Sequence, residues 1–503
     1  MPARRKPTLL GPQTFHFLNV TRELKHLSDW EDSSVDKLWV FNLHYFDDLN
    51  ALDAASRLAW HRALLLRWVH ENPPGKGTGW DPYPTSLRIV NWIKWALTGN
   101  TLPPECLHSL AVQTRWLARR LEVHLLGNHL FANAKALIFA GLFFDGEKAI
   151  GWLKKGFSIL EREISEQILP DGGQFERSPM YHSLALEDML DLSNVSAVFP
   201  GIFLHPGTIL TEEWSGRVGR MRQWLTIMSH PDGEISFFND SAIGTSPSPA
   251  ELEAYAQRLD FPSEPALSDG VIQLAESGYI RIQRGGMVAL LDVALVGPDY
   301  LPGHAHADTL SFELSLFGQR VFVNSGTSCY GAGAERLRQR GTAAHNTVVV
   351  NGRDSSEVWG GFRVARRARP TELNISQRSD AVIISCAHDG YEKLTHSRKW
   401  LFGASELVVE DSLSGSFRQA EARYHLHPSV TILKEIAVSG EGAEVSLQLS
   451  NGQKIRFSVE GGVLRKEAST WHPEFGRSEP NYCLFADFQG SLIRTRITWG
   501  NRS

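Results

Sequence analysis

The hydrophobic pattern of this chain changes its period once, and that change limits the fold more than any other feature. Over residues 51 to about 228, apolar side chains recur at helical spacing, as in the stripe of Leu64, Leu65 and Trp68. From Val271 onward, short apolar segments alternate with polar residues at period 2, separated by Gly, Asn and Ser turns. The first pattern predicts helical hairpins in series, which favour a toroid or a solenoid, and the second predicts an antiparallel sandwich.

The helical half is expected to contain helices at roughly 105–124, 129–144, 147–168, 181–197 and 211–228. A length of 503 residues permits two to four domains. We therefore predict an α+β multidomain protein, with a default ligand site in a cleft between its halves. The expected parts are an irregular segment over 1–36, in which residues 15–18 could form an anchoring strand, a helical domain over 37–260 and an antiparallel β-sandwich over 261–503.

Composition excludes several classes of protein. The net charge of −5 gives no general basic field for nucleic acid. The four cysteines are scattered, so neither a disulfide framework nor a cysteine zinc site is expected. No run approaches the ~18 apolar residues that span a bilayer. The basic N-terminus M-P-A-R-R-K lacks a following apolar segment, which predicts a cytoplasmic protein, or a periplasmic one if the start is mis-assigned. The oligomeric state stays open.

The stretch G-H-A-H-A-D-T-L-S-F-E-L, which begins at Gly303, carries the densest chemistry of the β half. His304 and His306 are two residues apart, so a strand would place both on one face. Alternation after Asp308 predicts a half-buried strand, and His345 begins a later one. Two interpretations compete. Either His306 and His345 hold zinc with one oxygen ligand, or these histidines only hydrogen-bond to neighbouring backbone.

Two polar stretches interrupt the helical half. In L-L-G-N-H-L, Asn128 and His129 stand at a helix start, where they could cap the helix or face an anion. In D-G-G-Q-F-E-R-S-P-M-Y-H, Arg177, Tyr181 and His182 adjoin a helix expected to begin near Pro179. A salt-bridged loop is the alternative interpretation of the second stretch.

Four stretches together resemble the heparinase II/III family of polysaccharide lyases. They are G-N-H-L-F-A-N-A-K-A-L, D-G-G-Q-F-E-R-S-P-M-Y-H, G-H-A-H-A-D-T-L-S-F-E-L and R-G-T-A-A-H-N-T-V-V-V-N-G. The resemblance runs from about residue 36 to the end of the chain. It implies an (α/α) toroid followed by an antiparallel β-sandwich, and β-elimination at a uronic acid without an organic cofactor.

The resemblance also implies catalytic roles. Asn128, with His129, is similar to the position that neutralises the uronate carboxylate, as an oxyanion donor does. Tyr181 resembles the catalytic tyrosine, the acid to the leaving oxygen and a candidate base. His304 resembles the histidine that acts as base or shapes the site. The implied substrate contacts are Arg177, Tyr330 and Arg340.

A structural zinc site is implied at His306, Asn324 and His345. The chain departs from the family there, because Asn324 stands where aspartate is usual and an amide oxygen is a weaker ligand. Ala132 also stands where some relatives carry glutamate.

The expected function is cleavage of a uronate-containing polysaccharide, of a bacterial surface or capsular kind. One alternative is a catalytically idle carbohydrate-binding or polysaccharide-assembly protein on the same scaffold. A second is a glycoside hydrolase, which needs two carboxylates across a cleft. Asp81, Asp171 and Glu176 are its candidates.

Overall fold

The computed structural model describes residues 2–199, 211–433, 436–439 and 442–500. Two compact units divide the chain, and each is described by itself. The first unit contains Met1–Gly172, Ser183–Arg222 and Ala250–Glu264, and the second contains Gly173–His182, Gln223–Pro249 and Pro265–Ser503. Two short segments of the helical half therefore belong with the strands, which the change of period did not indicate.

The N-terminal residues form a small three-stranded sheet, where the sequence indicated a single strand at residues 15–18 in an otherwise irregular segment. Its antiparallel strands are β1 (Leu9–Gly11), β2 (Thr14–Phe17) and β3 (Val20–Glu23). Phe15 and Phe17 of β2 are buried, and the Phe17 ring packs edge-on against Trp39. These aromatic contacts attach the sheet to the helices of the first unit.

Helices make up most of the chain before residue 260, as predicted. They are α1 (Lys37–Tyr45), α2 (Leu58–Glu71), α3 (Pro82–Leu97), α4 (Pro104–Leu117), α5 (Gly127–Phe143), α6 (Glu147–Gln167), α7 (Pro179–Val198), α8 (Thr211–Ile227) and α9 (Pro249–Arg258). Short 3-10 turns occupy Leu27–Glu31, Asp47–Asn50, Ala54–Arg57 and Thr78–Trp80. Helix α5 starts at Gly127, so Asn128 lies in its first turn rather than at its N-cap. In the described part of the chain, no helix is long and apolar enough to cross a membrane.

Buried aromatic and polar side chains hold the first unit together. Trp68 is fully buried, packs near Trp80 and Trp92, and lies under the guanidinium of Arg88 at 3.8 Å from the ring centroid. Most of the tryptophans are thus core residues, which is the usual place of large aromatics.

The second unit consists mainly of antiparallel strands. A five-stranded sheet has the order β4 (Gly270–Leu274), β5 (Tyr279–Arg284), β6 (Met287–Asp292), β7 (Phe312–Leu316) and β8 (Gln319–Phe322). Helix α10 (Ala334–Arg340) and a 3-10 turn at Thr342–Ala344 precede β9 (Val348–Val350). The strands β10 (Val358–Trp359) and β11 (Arg363–Val364) form a separate hairpin.

The remaining strands build two further sheets. The nine-stranded sheet has the order β12 (Pro370–Gln377), β13 (Val382–His388), β14 (Thr395–Phe402), β15 (Glu406–Ser414), β23 (Leu492–Trp499), β20 (Lys454–Glu460), β19 (Gly442–Gln448) and β17 (Thr431–Ile432), with β18 (Ala437–Ser439) also paired to β19. The four-stranded sheet has the order β21 (Gly462–Trp471), β22 (Glu479–Phe488), β16 (Ala420–His425) and β9.

Strand β7 is buried on both faces, which corrects the half-buried pattern expected after Asp308. Phe312, Leu314 and Leu316 join the main apolar core of the unit. The opposite face carries Glu313, which is fully buried and pairs with His230 Nε2 at 2.8 Å. An alternating pattern predicts that the polar residues face solvent, but in β7 these residues have buried partners.

Candidate active site

A buried carboxylate, Asp240, lies at the centre of the polar cluster in the second unit. Its Oδ2 is 2.8 Å from His304 Nδ1, and its Oδ1 is 2.8 Å from His306 Nε2. Both terminal nitrogens of Arg336 donate to the same carboxylate, and Asp240 and Arg336 are fully buried. Burial alone would raise the pKa of Asp240, but Arg336 and the two histidines hold that pKa well below its ordinary value. Asp240 is therefore a permanent anion that orients two histidines.

The contact with Asp240 fixes the state of the His304 ring. A carboxylate only accepts hydrogen bonds, so Nδ1 of His304 carries the proton and donates it to Asp240. In the neutral ring, Nε2 then keeps its lone pair. That nitrogen is 3.8 Å from Glu176 Oε2, too far for a hydrogen bond, and the His304 side chain is 14% exposed. His304 thus presents an oriented proton acceptor, as a general base requires.

Tyr181 lies directly beside this base. The Tyr181 and His304 rings stack with centroids 3.9 Å apart. Tyr181 is in the first turn of α7, where its backbone N–H donates to Ser178 Oγ at 3.1 Å, the contact of an N-cap serine. Ser178 in turn donates its hydroxyl to the Asp240 carbonyl. The helix start, the tyrosine and the histidine are therefore one connected structure.

The hydroxyl of Tyr181 faces that of Tyr330, with the two oxygens 2.9 Å apart. Burial first, and then the neighbouring Tyr330 and Asp240, raise the pKa of Tyr181 well above its ordinary value. The pKa of Tyr330 is raised by burial in the same way. Tyr181 is consequently a neutral hydroxyl near pH 7, which suits a proton donor better than a base. Tyr181, His304 and Tyr330, which the resemblance gave as site residues, lie together in the structure.

Two predicted arginine contacts look different in the structure. Arg177, held at φ 60°, donates from Nη1 to the carbonyls of Leu295 and Gly297 at 3.1 and 2.9 Å. Arg340 is fully buried and donates to the carbonyls of Ala305, Gly360 and Gly361. This geometry does not support Arg340 as a substrate contact, because its donors are already used to hold the loop that carries His304.

His306, Asp308 and His345 form a compact set of buried metal-ligand side chains, with one ligand atom from each within 4.8 Å of the others. His306 donates from Nε2 to Asp240, and His345 donates from Nδ1 to the Gly341 carbonyl at 2.9 Å. The remaining nitrogens, His306 Nδ1 and His345 Nε2, face each other at 3.1 Å. In neutral rings both nitrogens are acceptors, so the pair lacks a proton between them and fits a cation.

A second histidine pair in the same unit shows the contrast. Nδ1 of His388 accepts from the Gly390 N–H, and Nε2 of His388 donates to Nδ1 of His396 at 3.1 Å. Nε2 of His396 then donates to Asp411 at 2.7 Å. Donors and acceptors alternate along this chain, so it is complete without an ion. The pair of His306 and His345 is not complete in this way, because no proton lies between the two rings. Burial lowers the pKa of His306 to about 4, which disfavours a protonated ring there.

The acidic member of this cluster is a residue that sequence reasoning missed. The predicted strand begins after Asp308, so the pattern gave Asp308 no role, whereas the structure places it with the two histidines. The Asn324 amide oxygen accepts the Asn346 backbone N–H at 3.1 Å, and its nitrogen faces Ser311. Asn324 as a ligand stays a prediction.

The start of α5 carries the other predicted residues, in the first unit. His129 Nδ1 is 2.9 Å from Glu122 Oε1, and the Tyr83 ring lies over the His129 ring with centroids 4.4 Å apart. Burial raises the pKa of the Tyr83 hydroxyl, and the Asn128 side chain lies close enough to that hydroxyl to lower its pKa by a smaller effect. Glu122 also accepts from Asn133 Nδ2 at 3.0 Å. Both predicted residues are therefore held by neighbours that sequence reasoning missed, and their convergence with Tyr181 stays a prediction.

Two family models cover almost the whole chain. Residues 28–268 match the model described as Heparinase II/III N-terminus, and residues 268–499 match Heparinase II/III-like, C-terminal. The chain belongs to the heparinase II/III family. The motifs at Asn128, Tyr181 and His304 thus lie within family domains.

Individual relatives agree with this membership. The chain is 26% identical over 420 residues to a heparin-sulfate lyase of Bacteroides stercoris, an alignment that covers 77% of this chain and 59% of that protein. It is 26% identical over 372 residues to a heparin-sulfate lyase of Pedobacter heparinus, covering 67% of this chain and 53% of that protein. The chain thus spans just over half the length of these curated relatives.

Solved structures support the fold. A crystal structure of heparinase III aligns with a TM-score of 0.76 at 18% identity, covering 94% of this chain and 79% of that one. At this identity the likeness concerns the fold alone, and it confirms an α+β multidomain protein. The cytoplasmic location expected from the N-terminal sequence stays a prediction.

Proposed function

We propose that this protein is a polysaccharide lyase that cleaves a uronate-containing glycan by β-elimination. The observation that carries the proposal is His304, with Nδ1 on buried Asp240 and its ring stacked on Tyr181. β-Elimination requires a base that removes one proton and an acid that delivers another, and an oriented imidazole beside a neutral hydroxyl can supply both. Membership of the heparinase II/III family supports the same chemistry.

In the proposed reaction, His304 Nε2 takes the proton from C5 of the uronate. The C5 electron pair forms the C4=C5 double bond, the C4–O bond breaks, and the leaving oxygen takes the Tyr181 proton. The raised pKa of Tyr181 supports this division, because a hydroxyl that stays protonated in the free protein is a donor. The step leaves an imidazolium beside a phenolate, and one proton transfer between them restores both residues.

The carboxylate of the uronate must be neutralised as negative charge develops on it. We propose that Asn128 and His129 do this from the first turn of α5, where free backbone N–H groups add to the favourable field. Glu122 accepts a hydrogen bond from the protonated Nδ1 of His129, so His129 Nε2 is the nitrogen that remains for a ligand. We further propose that the helices of the first unit form an (α/α) toroid and the strands of the second a β-sandwich.

We propose zinc as the ion for the cluster of His306, Asp308 and His345, with a structural role. Two imidazoles whose second nitrogens are fixed by Asp240 and the Gly341 carbonyl, together with one carboxylate, match the donors that zinc prefers. When bound, the ion supplies positive charge next to the histidine that shares Asp240 with His304. Elemental analysis after gentle purification should find about one equivalent, and His345→Ala should lose it together with thermal stability. Zinc retained in full by His345→Ala would place the ligands elsewhere.

The substrate class follows from the chemistry, since β-elimination needs a carboxylate on the carbon next to the abstracted proton. The relatives are named as heparin-sulfate lyases, and the sequence favours a bacterial surface or capsular polymer. A panel of purified uronate glycans, sulfated and unsulfated, tests the proposal by the ultraviolet absorbance of a 4,5-unsaturated uronate. A glycan that is shortened without that chromophore would indicate hydrolysis and overturn the proposal. Binding without cleavage of any glycan would favour the idle scaffold instead.

A further inference from the structure

The hairpin of β10 and β11 presents an exposed aromatic residue opposite an exposed cation. Trp359 pairs directly with Arg363 across the hairpin, so the two side chains project from the same face. All fifteen tryptophans lie in the described part of the chain, and Trp359 is the one among them with a largely exposed side chain, at 54%. Single exposed apolar residues are ordinary, but a tryptophan exposes far more apolar surface than an average residue.

Arg363 is exposed as well, and among the described residues no carboxylate lies within ion-pair distance of it. Neighbouring arginines are different: Arg367 pairs with Asp299 at 2.8 Å, and Arg338 pairs with Glu335 at 2.6 Å. The face of the hairpin therefore combines an apolar ring with an uncompensated positive charge. That combination is complementary to a sugar that carries an anionic group.

The hairpin is held rigidly against the candidate active site. Arg336 Nε donates to the Gly361 carbonyl at 3.1 Å, and Arg340 Nη1 donates to the carbonyls of Gly360 and Gly361 at 3.2 and 3.1 Å. A Cβ at position 361 would lie 2.4 Å from the Gly331 carbonyl oxygen, so this approach requires glycine. The same Arg336 binds Asp240, and one residue therefore links the hairpin tip to the carboxylate that orients His304.

Phe362, between the two strands, completes the connection. Its ring centroid is 5.7 Å from that of His304 and 5.2 Å from that of Tyr330. The exposed face of the hairpin is thus continuous with the catalytic pair through a single aromatic residue. A glycan that reaches His304 has this face as a neighbouring surface.

We propose that Trp359 and Arg363 form a binding subsite for an anionic sugar unit, next to the unit whose bond is broken. The indole face stacks against the C–H face of the pyranose ring, and the guanidinium pairs with a carboxylate or a sulfate group. The place of the subsite in catalysis rests on the proposed function, while its binding of anionic sugar does not. Loss of the subsite weakens binding of long substrates and leaves the chemical step unchanged.

The test compares Trp359→Ala and Arg363→Gln with wild type on a long uronate polymer and on the shortest oligosaccharide that is cleaved. We expect KM for the polymer to rise about tenfold in each variant, with kcat within about twofold, since a remote contact adds binding alone. The shortest substrate should show little change. Matched controls are Tyr482→Ala, another exposed aromatic residue of this unit, and Arg378→Gln, an arginine exposed in a different turn. These controls should behave as wild type.

A direct binding measurement separates this proposal from the proposed function. Because Trp359 is the exposed indole, glycan binding should protect part of the tryptophan fluorescence from acrylamide quenching, and Trp359→Ala should lose that effect. Protection by a bound polymer would support the subsite even if wild type cleaves no glycan of the panel and the lyase proposal fails. Equal polymer affinity in wild type and both variants would overturn the subsite whether or not cleavage occurs.

The anionic group is identified by the choice of polymer. A carboxyl-reduced, unsulfated polymer should bind wild type and Arg363→Gln equally if the carboxylate is the partner. If a sulfated polymer still binds wild type more tightly than Arg363→Gln after carboxyl reduction, the contact of Arg363 is with sulfate. Neutral polymer binding as tightly as both anionic ones would contradict the role of Arg363.

Discussion

Replacing Asp240 with asparagine removes one charge and keeps the shape of the side chain. In the wild type, this carboxylate accepts from Arg336 with both oxygens, from His304 and from His306. Asparagine offers one acceptor oxygen, and its amide N–H group would face a donor. Arg336, which is fully buried, then keeps its charge without a counterion.

Two separate consequences follow. Removing one partner of a buried ion pair costs about 3–5 kcal/mol of folding free energy, which corresponds to a fall in Tm on the order of 10 °C. His304 loses the acceptor that holds its proton on Nδ1, so the tautomer with the proton on Nε2 becomes populated and cannot act as a base. We expect kcat to fall on the order of 10³–10⁴-fold.

The chain contains a matched control for the stability effect. Asp411 is fully buried, accepts from Arg398 with both oxygens, and accepts from His396 at 2.7 Å. Asp411→Asn should therefore lose about the same 3–5 kcal/mol but keep wild-type kcat. Melting temperature and initial rates on the same glycan, below the lower Tm, provide the comparison. Equal kcat in Asp240→Asn and Asp411→Asn would refute the claim that Asp240 orients the base.

Further predictions concern single side chains. Tyr181→Phe should lower kcat ~10²–10⁴-fold with at most ~1–2 kcal/mol lost from stability, and wild-type rates would show that the hydroxyl is not the acid. Asn128→Ala should lower kcat ~10²–10³-fold, measured against unchanged Tm. Glu122→Gln leaves one acceptor oxygen for the two donors of His129 and Asn133. Nuclear magnetic resonance should then detect a changed His129 tautomer, and rate measurements should show a lower kcat. An unchanged tautomer would contradict the positioning role of Glu122. Burial raises the pKa of Asp411, but the Arg398 ion pair and the His396 hydrogen bond outweigh it and lower that pKa from 3.8 to about 2. About 2 kcal/mol of stability is therefore present above pH ~4 and is lost as the pH falls towards 2. Urea unfolding should show that loss in wild type, and its persistence in Asp411→Asn would assign it to other groups.

The sequence predicted the elements of this fold better than their arrangement. Apolar spacing located α5 and α6 to within two residues, because helix periodicity is a local property. The apolar pattern could not predict the order of strands within the sheets. Strand β15 pairs with β23 across about eighty residues and β9 pairs with β16 across about seventy, and no local feature specifies such partners. In the N-terminal sheet only the middle strand was indicated, because strands of three or four residues are too short to show a clear alternation.

The candidate site was predicted where motifs are contiguous and missed where they are not. His304, His306 and Tyr181 stood in dense polar stretches, whereas Asp240 stands in F-F-N-D-S, 64 residues before His304. An aspartate two residues after a pair of phenylalanines is a weak signal, and the partners of Asp240 are brought to it only by folding. The family resemblance implies Arg340 as a substrate contact. Its complete burial among carbonyls shows a structural role.

Product absorbance tests the central claim most directly. Wild type and Tyr181→Phe would be incubated with each uronate glycan, and the ultraviolet band of the 4,5-unsaturated uronate would be followed beside the number of new chain ends. We predict one chromophore for each bond broken by wild type, and a rate reduced ~10²–10⁴-fold in Tyr181→Phe. New chain ends without the chromophore would contradict β-elimination by this protein.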